Sequence, residues 1–203
     1  FDDMKNIMDI FLRELDIEIE NSILHEEINK ASITDPLTRL YNRRYFNNRV
    51  QEEFSRARRM GFPVSIMISD LDNLKNYVDT YGHSKGDVIL SEVASVVSGT
   101  MRETDIVCRF GGDEFAYLLP FASSVEAKAL AERIKKNVSQ YIFLKNDEEV
   151  EKEVHITLSM GIASFPENGQ KEEDIIGKAD HALFASKNSG KNRISVYEEK
   201  KGG

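Results

Sequence analysis

The sequence of 203 residues lacks several features that define common protein classes. It has one cysteine, Cys108, so no intrachain disulfide can form, which favours a reducing cytoplasm. It contains no run of about 18 apolar residues and no visible signal peptide, so no membrane span is predicted. Its net charge of −8 argues against a general nucleic-acid-binding protein, which is usually basic. A small phosphorylated ligand, neutralised by metal ions and a few lysines, remains open.

Three catalytic motifs with strong sequence signatures are also missing. There is no Walker-type glycine loop, no Cys/His spacing typical of zinc sites and no Ser-His-Asp set. The four histidines are scattered, and each is interpreted as a structural or surface residue. The chemistry therefore has to come from other residue types.

The first 33 residues contain no proline or glycine and are predicted to form one long helix. One of its two apolar stripes runs through Ile10, Ile17 and Leu24, and two stripes favour contacts with more than one neighbour. A helix packed on an upstream domain and a dimerising helix fit equally well. Because the sequence begins at Phe1 inside this pattern, we expect it to be a fragment of a longer chain.

Strands and helices alternate beyond the first helix, which predicts a second domain over residues 34–203. Thr34-Asp35-Pro36 ends the first helix, because the residue before a proline disfavours helical geometry. Strands interleaved with helices around one antiparallel hairpin indicate an α/β (α+β) fold, with a mixed central sheet and flanking helices. We predict helices over 42–60, 73–80, 87–101, 124–141 and 172–187, and strands over 64–70, 105–110, 115–119, 154–165 and 194–197.

The hairpin is predicted from two β-prone runs that Gly111 and Gly112 join. Glycine supplies the positive φ that a tight hairpin turn needs without steric cost. Asp113 and Glu114 would then stand at the start of the returning strand, on a rigid ribbon. That placement suits a metal site.

A second pair of carboxylates, Asp70 and Asp72, lies where the first predicted strand ends. Asp70 from this strand and Asp113 or Glu114 from the hairpin could flank a hard cation. Oxygen ligands in a partly hydrated site suit magnesium, which binds through one or two carboxylates plus substrate phosphates. Asp72 could share that site, but we interpret it as the cap of the following helix.

Lysines that could meet a phosphate occur at two places. Lys75 lies on the short helix that begins near Asn73, whose free backbone N–H groups could also bind a phosphate. Lys187 and Lys191 flank the end of the last helix, where they could equally complement the helix dipole.

An ordered set of motifs resembles the GGDEF family, the bacterial diguanylate cyclases. Arg109-Phe110-Gly111-Gly112-Asp113-Glu114-Phe115 resembles the family signature, and the likeness extends from about Asp35 to Tyr197. The helix before it resembles the exit helix of a GAF-type sensor domain. Further segments that match in order and spacing are Asp35-Pro36-Leu37-Thr38, Asn42-Arg43-Arg44, the stretch 70–87, Ser159-Met160-Gly161-Ile162-Ala163, Ala179-Asp180 and Gly190-Lys191-Asn192-Arg193.

The resemblance implies a fold similar to the adenylyl cyclase and polymerase palm. The implied reaction condenses two GTP into cyclic di-GMP and two pyrophosphates between two facing domains, that is, in a homodimer. Asp70, Asp113 and the backbone carbonyl of Leu71 would hold two magnesium ions, or manganese in their place. Glu114 would assist catalysis in or near that shell.

The same resemblance implies how the nucleotide binds. Asp87 would accept hydrogen bonds from guanine, which adenine cannot donate there. The remaining contacts would come from Gly111 and Gly112 in the hairpin turn, from the side chains of Lys75, Lys187 and Lys191 on the β- and γ-phosphates, and from the amides of Asn73 and Leu74.

An inhibitory product site is also implied. Arg102 and Asp105 match the family's RxxD motif, and an arginine and an aspartate can bind guanine edges of cyclic di-GMP. Arg133 would supply a second contact from a neighbouring domain. In the alternative, Arg102 is a helix-end cation that pairs with Asp105.

Two positions depart from the family pattern. Val78 stands where an asparagine usually contacts guanine, and Arg39 stands where glycine is usual. Val78 leaves three hypotheses: an active diguanylate cyclase, a degenerate domain that binds GTP or cyclic di-GMP without turnover, and an enzyme for a different purine nucleotide.

Overall fold

The computed structural model describes residues 33–150 and 152–199. The chain divides into two units, Phe1–Thr34 and Asp35–Gly203, and the elements below belong to the second. The predicted N-terminal helix lies outside the described residues apart from its last position, so its signalling or dimerising role stays a prediction.

Five helices and six strands make up the described part of this unit. Their bounds agree with most of the predicted elements, because hydrophobic periodicity and glycine breaks marked them. The helices are α1 Arg43–Met60, α2 Leu74–Tyr81, α3 His83–Ser98, α4 Ser124–Gln140 and α5 Glu172–Asn188, and the strands are β1 Tyr41–Asn42, β2 Val64–Asp72, β3 Ile106–Gly111, β4 Glu114–Pro120, β5 Thr157–Phe165 and β6 Ile194–Val196.

Local capping sets the helix ends. The side chain of Asn42 accepts from the amide of Tyr45 at 3.0 Å to begin α1, and Gly61, at φ 73°, ends it. Ser123 and Glu126 form a reciprocal capping box at the start of α4. Such caps satisfy backbone groups that a helix end leaves without a partner.

The sheet has the strand order β1-β3-β4-β2-β5-β6. The central strand β2 pairs antiparallel with β4 and β5, whereas β1 pairs parallel with β3 and β6 parallel with β5. The mixed sheet with one antiparallel hairpin confirms the predicted fold class.

Each face of the sheet buries its own hydrophobic core. Along β2, Ile66 and Ile68 face the core that contains α1 and α5 residues, and Met67 and Leu71 face the core that contains α3 and α4 residues. This alternation follows from the two-residue period of a strand. Because β2 is covered on both faces, its register is fixed.

Two predicted element starts differ from the structure by three residues or more, and one short strand was not predicted. Helix α3 begins at His83 rather than at 87, because Gly86 inside it lowers the helical signal. Strand β5 begins at Thr157 rather than at 154, and Val154 forms only an isolated bridge with Phe143. The two-residue strand β1 was not predicted, since it is too short to show a period. None of the described helices is long and apolar enough to cross a membrane.

Close packing of α5 on β5 depends on Gly161. A Cβ atom at this position would lie 2.1 Å from the backbone nitrogen of Leu183 and 2.2 Å from the carbonyl oxygen of Ala179. Both atoms belong to the backbone of α5, so the helix could not approach the sheet this closely over a larger residue. Gly161 therefore sets the position of α5 and of the side chains at its end.

Candidate functional site

The sheet brings the predicted carboxylates together at one end of β2. Asp70 lies directly opposite Glu114 in the antiparallel pairing of β2 and β4, so both side chains project from the same face. The amide of Leu71 donates to the carbonyl of Asp113 at 3.3 Å. Residues distant in sequence thus form one acidic cluster.

The hairpin turn lies one residue later than predicted. Gly111 ends β3, Glu114 begins β4, and the turn itself consists of Gly112 and Asp113. Gly112 has φ 51°, the left-handed value that glycine adopts without strain. Asp113 therefore sits in the turn and not on the returning strand, because an irregularity between Arg109 and Gly111 shifts the register.

The electrostatics of the cluster fit a bound cation. Burial raises the pKa of Asp70, and the charges of Asp113 and Asp72 raise it further. Burial and the charges of Asp70, Asp180 and Asp113 raise the pKa of Glu114. Adjacent carboxylates repel one another, and a cation relieves that repulsion. Within 33–150 and 152–199, no three or more His, Cys, Asp or Glu residues are arranged as a complete metal site. The carboxylates of Asp70 and Asp113 suit a magnesium ion that completes its shell with water and phosphate.

Lys187 reaches this cluster from α5. Its Nζ lies 2.7 Å from Oδ2 of Asp70, and this contact acts to lower the pKa of Asp70 against the effect of burial. Lys187 also belongs to the last turn of the helix, so the predicted dipole interaction holds as well. The ammonium group therefore lies beside the acidic cluster.

Lys191 lies on the loop after α5 and contacts the start of α2. Its Nζ donates to Oδ1 of Asn73 at 2.6 Å. Asn73 precedes α2 with φ 62° and makes no side-chain cap, so the first amides of α2, which begins at Leu74, have no side-chain acceptor at that position. A lysine and a helix N-terminus therefore face the same space.

The interpretation of Asp72 as a helix cap was wrong. Its carboxylate accepts from Oγ1 of Thr157 at 2.7 Å, from Oγ of Ser159 at 2.6 Å and from the amide of Asn192 at 2.9 Å. Strand β2 continues through Asp72, so the side chain points across to β5 and not over the start of α2. The alternating Thr157 and Ser159 on β5 were the available signal for this pairing.

A cavity of about 410 Å³ adjoins the acidic cluster. Asp87, Val78 and Lys75 line it from the helices α2 and α3, and Gly112 and Asp113 line it from the hairpin turn. The predicted base-binding residues thus share one cavity with Lys75, whereas Lys187 and Lys191 are not among its lining residues. Its other lining residues are Leu74, Asp79, His83, Gly86, Leu90 and Arg109.

Val78 shapes the floor of this cavity by packing over Gly86. A Cβ atom on Gly86 would lie 2.6 Å from Cγ2 of Val78, so the absent side chain makes room for the valine. The resulting surface is apolar beside the carboxylate of Asp87. Val78 offers no hydrogen bond to a ligand there.

Arg109 is a positioning residue that the sequence pattern did not predict. Its Nε donates to the carbonyl of Gly112 at 3.0 Å, and its Nη1 lies 3.4 Å from Oδ1 of Asp35. Burial acts to raise the pKa of Asp35, but hydrogen bonds from Thr38 and the charge of Arg109 outweigh it and leave the pKa lowered. Arg109 thereby ties the hairpin turn to the segment before β1, and Asp35 and Thr38 at a spacing of three were the visible signal.

The residues predicted for the inhibitory site also lie together. The amide of Arg102 donates to Oδ2 of Asp105 at 3.0 Å, so the two residues are paired through the backbone of Arg102. Burial raises the pKa of Asp105 although the charges of Arg102 and Arg133 act to lower it. Arg133 donates from Nη2 to the carbonyl of Thr100 at 2.9 Å.

Comparison with known proteins identifies the family to which the chain is similar. The family described as "Diguanylate cyclase, GGDEF domain" matches residues 32–193. Diguanylate cyclase A of Treponema denticola is 34% identical over 195 residues, which is 95% of this chain and 50% of that protein. Diguanylate cyclase DosC of Escherichia coli is 37% identical over 177 residues, 86% of this chain and 37% of that protein. The chain thus spans half or less of these relatives.

Solved structures show the same fold. The GGDEF domain of DgcB from Caulobacter crescentus, in complex with c-di-GMP, matches with a TM-score of 0.76 and 30% identity over 82% of this chain and 96% of that one. The coiled coil and GGDEF domain of the same protein matches with a TM-score of 0.83 and 29% identity over 93% and 98%. With its signature hairpin, its acidic cluster and these matches, the chain belongs to the GGDEF family of diguanylate cyclase domains.

Proposed function

We propose that this chain is a diguanylate cyclase that condenses two GTP into cyclic di-GMP and two pyrophosphates. The observation that carries the proposal is the junction of the acidic cluster, Lys187 and the cavity at Asp87. One chain offers the groups for one nucleotide there, so the reaction needs two copies that face each other. The c-di-GMP bound by the DgcB domain supports the same product.

In this mechanism the residues of the chain bind and orient the reactants. Asp87 accepts from guanine, and Lys75, Lys187 and Lys191 bind the β- and γ-phosphates. Each 3′-hydroxyl attacks the α-phosphorus of the facing GTP, loses its proton to solvent and displaces pyrophosphate. Magnesium held by Asp70, Asp113 and the Leu71 carbonyl would neutralise phosphate charge and acidify the hydroxyl. Further groups would orient the reactants: Glu114 beside the carboxylates, Gly111 and Gly112 in the hairpin, and the amides of Asn73 and Leu74.

We further propose that the product inhibits the enzyme at Arg102 and Asp105. The positive charges of Arg102 and Arg133 both act on Asp105, so a guanine with acceptor and donor edges finds complementary groups in one place. In a dimer, Arg133 of the neighbouring domain would supply a second contact to the product, in addition to the Arg133 whose charge acts on Asp105 within the same chain.

The first test is turnover by purified, nucleotide-free chain with GTP and magnesium, followed by release of pyrophosphate and cyclic di-GMP. Asp113→Ala should lower the rate by at least about 100-fold, since it removes a carboxylate proposed to hold the magnesium that stabilises the transition-state charge. Glu148→Ala, which removes an exposed carboxylate in the loop before β5, is the matched control and should leave the rate unchanged. No product from a folded, nucleotide-free dimer would refute the cyclase.

A second candidate is a degenerate domain that binds GTP or cyclic di-GMP without turnover. The apolar floor at Val78 favours it, because one guanine contact of the family is replaced by a group that cannot hydrogen bond. Binding of cyclic di-GMP that is lost in Arg102→Ala, in a chain without turnover, would support this alternative.

Val78 also bears on the choice of nucleotide. If only Asp87 reads the base, Val78→Asn should strengthen GTP binding about tenfold, the value of one added hydrogen bond, and leave ATP binding weak. Competition between GTP and ATP measures both effects. Equal turnover of ATP in the wild-type chain would indicate an enzyme for a different purine nucleotide.

A further inference from the structure

We propose that Asp72 is a positioning residue that holds the loop carrying Lys191 in place and so sets the affinity for the β- and γ-phosphates. The proposal deepens the proposed function and rests on it. This role differs from the helix cap that the sequence pattern predicted for Asp72.

Asp72 connects three parts of the chain at one buried carboxylate. Its donors are Oγ1 of Thr157 and Oγ of Ser159 on β5 and the amide of Asn192 on the loop after α5. Asp72 as a whole residue is 4% exposed, so these bonds are shielded from water and stronger than surface bonds. The contact with Asn192 ties the loop to β2 beside Lys191, and a backbone bond from the amide of Met160 to the carbonyl of Arg193 at 2.9 Å ties it to β5 two residues after Lys191.

The loop needs such an anchor because its backbone is strained. Lys191 has φ 59° and Asn192 has φ 47°, values that residues with side chains rarely adopt. A conformation of this kind persists only where surrounding contacts over-determine it. The bond from the Asn192 amide to Asp72 lies at the centre of the strained pair and ends on a carboxylate.

The conformation of the strained loop sets the position of the Lys191 ammonium group. With Asn192 held by Asp72, Nζ of Lys191 reaches Oδ1 of Asn73, the residue next to Asp72, at 2.6 Å. The ammonium group then lies at the start of α2, where free amides also favour an anion. If the loop relaxed, the lysine would lose this position although its own side chain was intact.

A role for Asp72 as a metal ligand does not fit these contacts. Thr157 and Asn192 donate to Oδ2, and Ser159 donates to Oδ1, so both oxygens are engaged. Asp70, with one bond to Lys187, remains the available carboxylate on β2. Asp72 therefore acts through the loop and not on the reacting atoms.

The test compares the dissociation constants of 3′-deoxy-GTP, which cannot react, and of GMP, which lacks the β- and γ-phosphates, by calorimetry with magnesium. Asp72→Ala should weaken the binding of 3′-deoxy-GTP about tenfold, the size of one lost charge-assisted contact. The affinity for GMP should stay unchanged. Asp72→Asn should bind like the wild type, because its amide oxygen can still accept from Asn192. Thr157→Val, which removes a hydrogen-bond partner outside the loop, should also leave the ratio of the two dissociation constants unchanged.

A double-mutant cycle with Lys191→Ala separates positioning from a general structural effect. If Asp72 acts through Lys191, removing Lys191 from Asp72→Ala costs no further affinity. The proposal would be overturned if Asp72→Ala weakened the binding of both nucleotides equally. It would also be overturned if the affinity losses of Asp72→Ala and Lys191→Ala multiplied in the double variant. If Asp72→Ala does not fold, Asp72→Ser, whose shorter side chain falls short of Asn192, is judged by the same ratio. A wild-type chain that binds neither nucleotide would refute the proposed function instead.

Discussion

Replacing Gly161 by alanine should push α5 away from the sheet, destabilise the fold and slow turnover. The added Cβ would lie 2.1 Å, 2.2 Å and 2.8 Å from backbone atoms of Leu183, Ala179 and Ala182. Ordinary contacts need at least about 3.4 Å, so the helix has to move by about 1 Å. No rotamer change can relieve a clash with backbone.

The size of the effect follows from this geometry. Inserting a methyl group into a tight core costs about 1 to 3 kcal/mol, and a rigid backbone partner places Gly161→Ala near the upper value. For a unit of this size, about 3 kcal/mol lowers the melting temperature by roughly 6 to 12 °C. Lys187 moves with α5, and a displacement of about 1 Å can cost about 100-fold in rate.

Gly177→Ala is the matched control on the same helix. A Cβ at Gly177 meets no atom within 4 Å, so the change should stabilise the helix by about 1 kcal/mol through propensity alone. Denaturant unfolding gives the free energies, and cyclic di-GMP formation gives the rates. Gly161→Ala that is as stable and active as the wild type would refute the argument that this glycine sets the position of α5.

Three further outcomes follow from the structure. Glu114→Gln should stabilise the metal-free protein increasingly as the pH rises above 4.5. Burial and nearby carboxylates raise the pKa of Glu114, so its ionisation lowers the stability of the folded state. Unfolding in the presence of a chelator at several pH values tests this, and a pH-independent difference in stability would contradict it. Burial raises the pKa of the Cys108 thiol to about 12, so iodoacetamide should label the protein only after unfolding, and rapid labelling of the native chain would contradict the buried placement. Tyr117→Phe should cost about 1 to 2 kcal/mol, because the buried hydroxyl of Ser69 loses its partner at 2.9 Å, and Ser69→Ala in the same chain should recover part of that loss in denaturant unfolding.

The acidic cluster could be predicted because its signals are local. A buried run that ends in Asp70 and a glycine hairpin that presents Asp113 each mark the end of a strand. Antiparallel neighbours then bring the two ends together, as the pairing of β2 with β4 shows. The fold class followed from the same alternation of strands and helices.

The errors arose where tertiary contacts decide the outcome. Asp72 lies before a helix, a typical capping position, but its partners on β5 and at Asn192 are far away in the sequence. The ion pair of Lys187 with Asp70 depends on the approach of α5 that Gly161 permits. Sequence alone shows two lysines near a helix end and cannot say which carboxylate one of them meets.

The ion pair of Lys187 with Asp70 has a consequence for the order of ligand binding. A cation that arrives alone has to displace an ammonium group from Asp70, and the freed lysine is left without a counter-ion. A cation that arrives with a triphosphate brings the anion to which Lys187 can transfer. We therefore expect positive coupling, in which magnesium raises the affinity for nucleotide and nucleotide raises the affinity for magnesium by the same factor. Lys187 would therefore weaken the binding of magnesium in the absence of nucleotide.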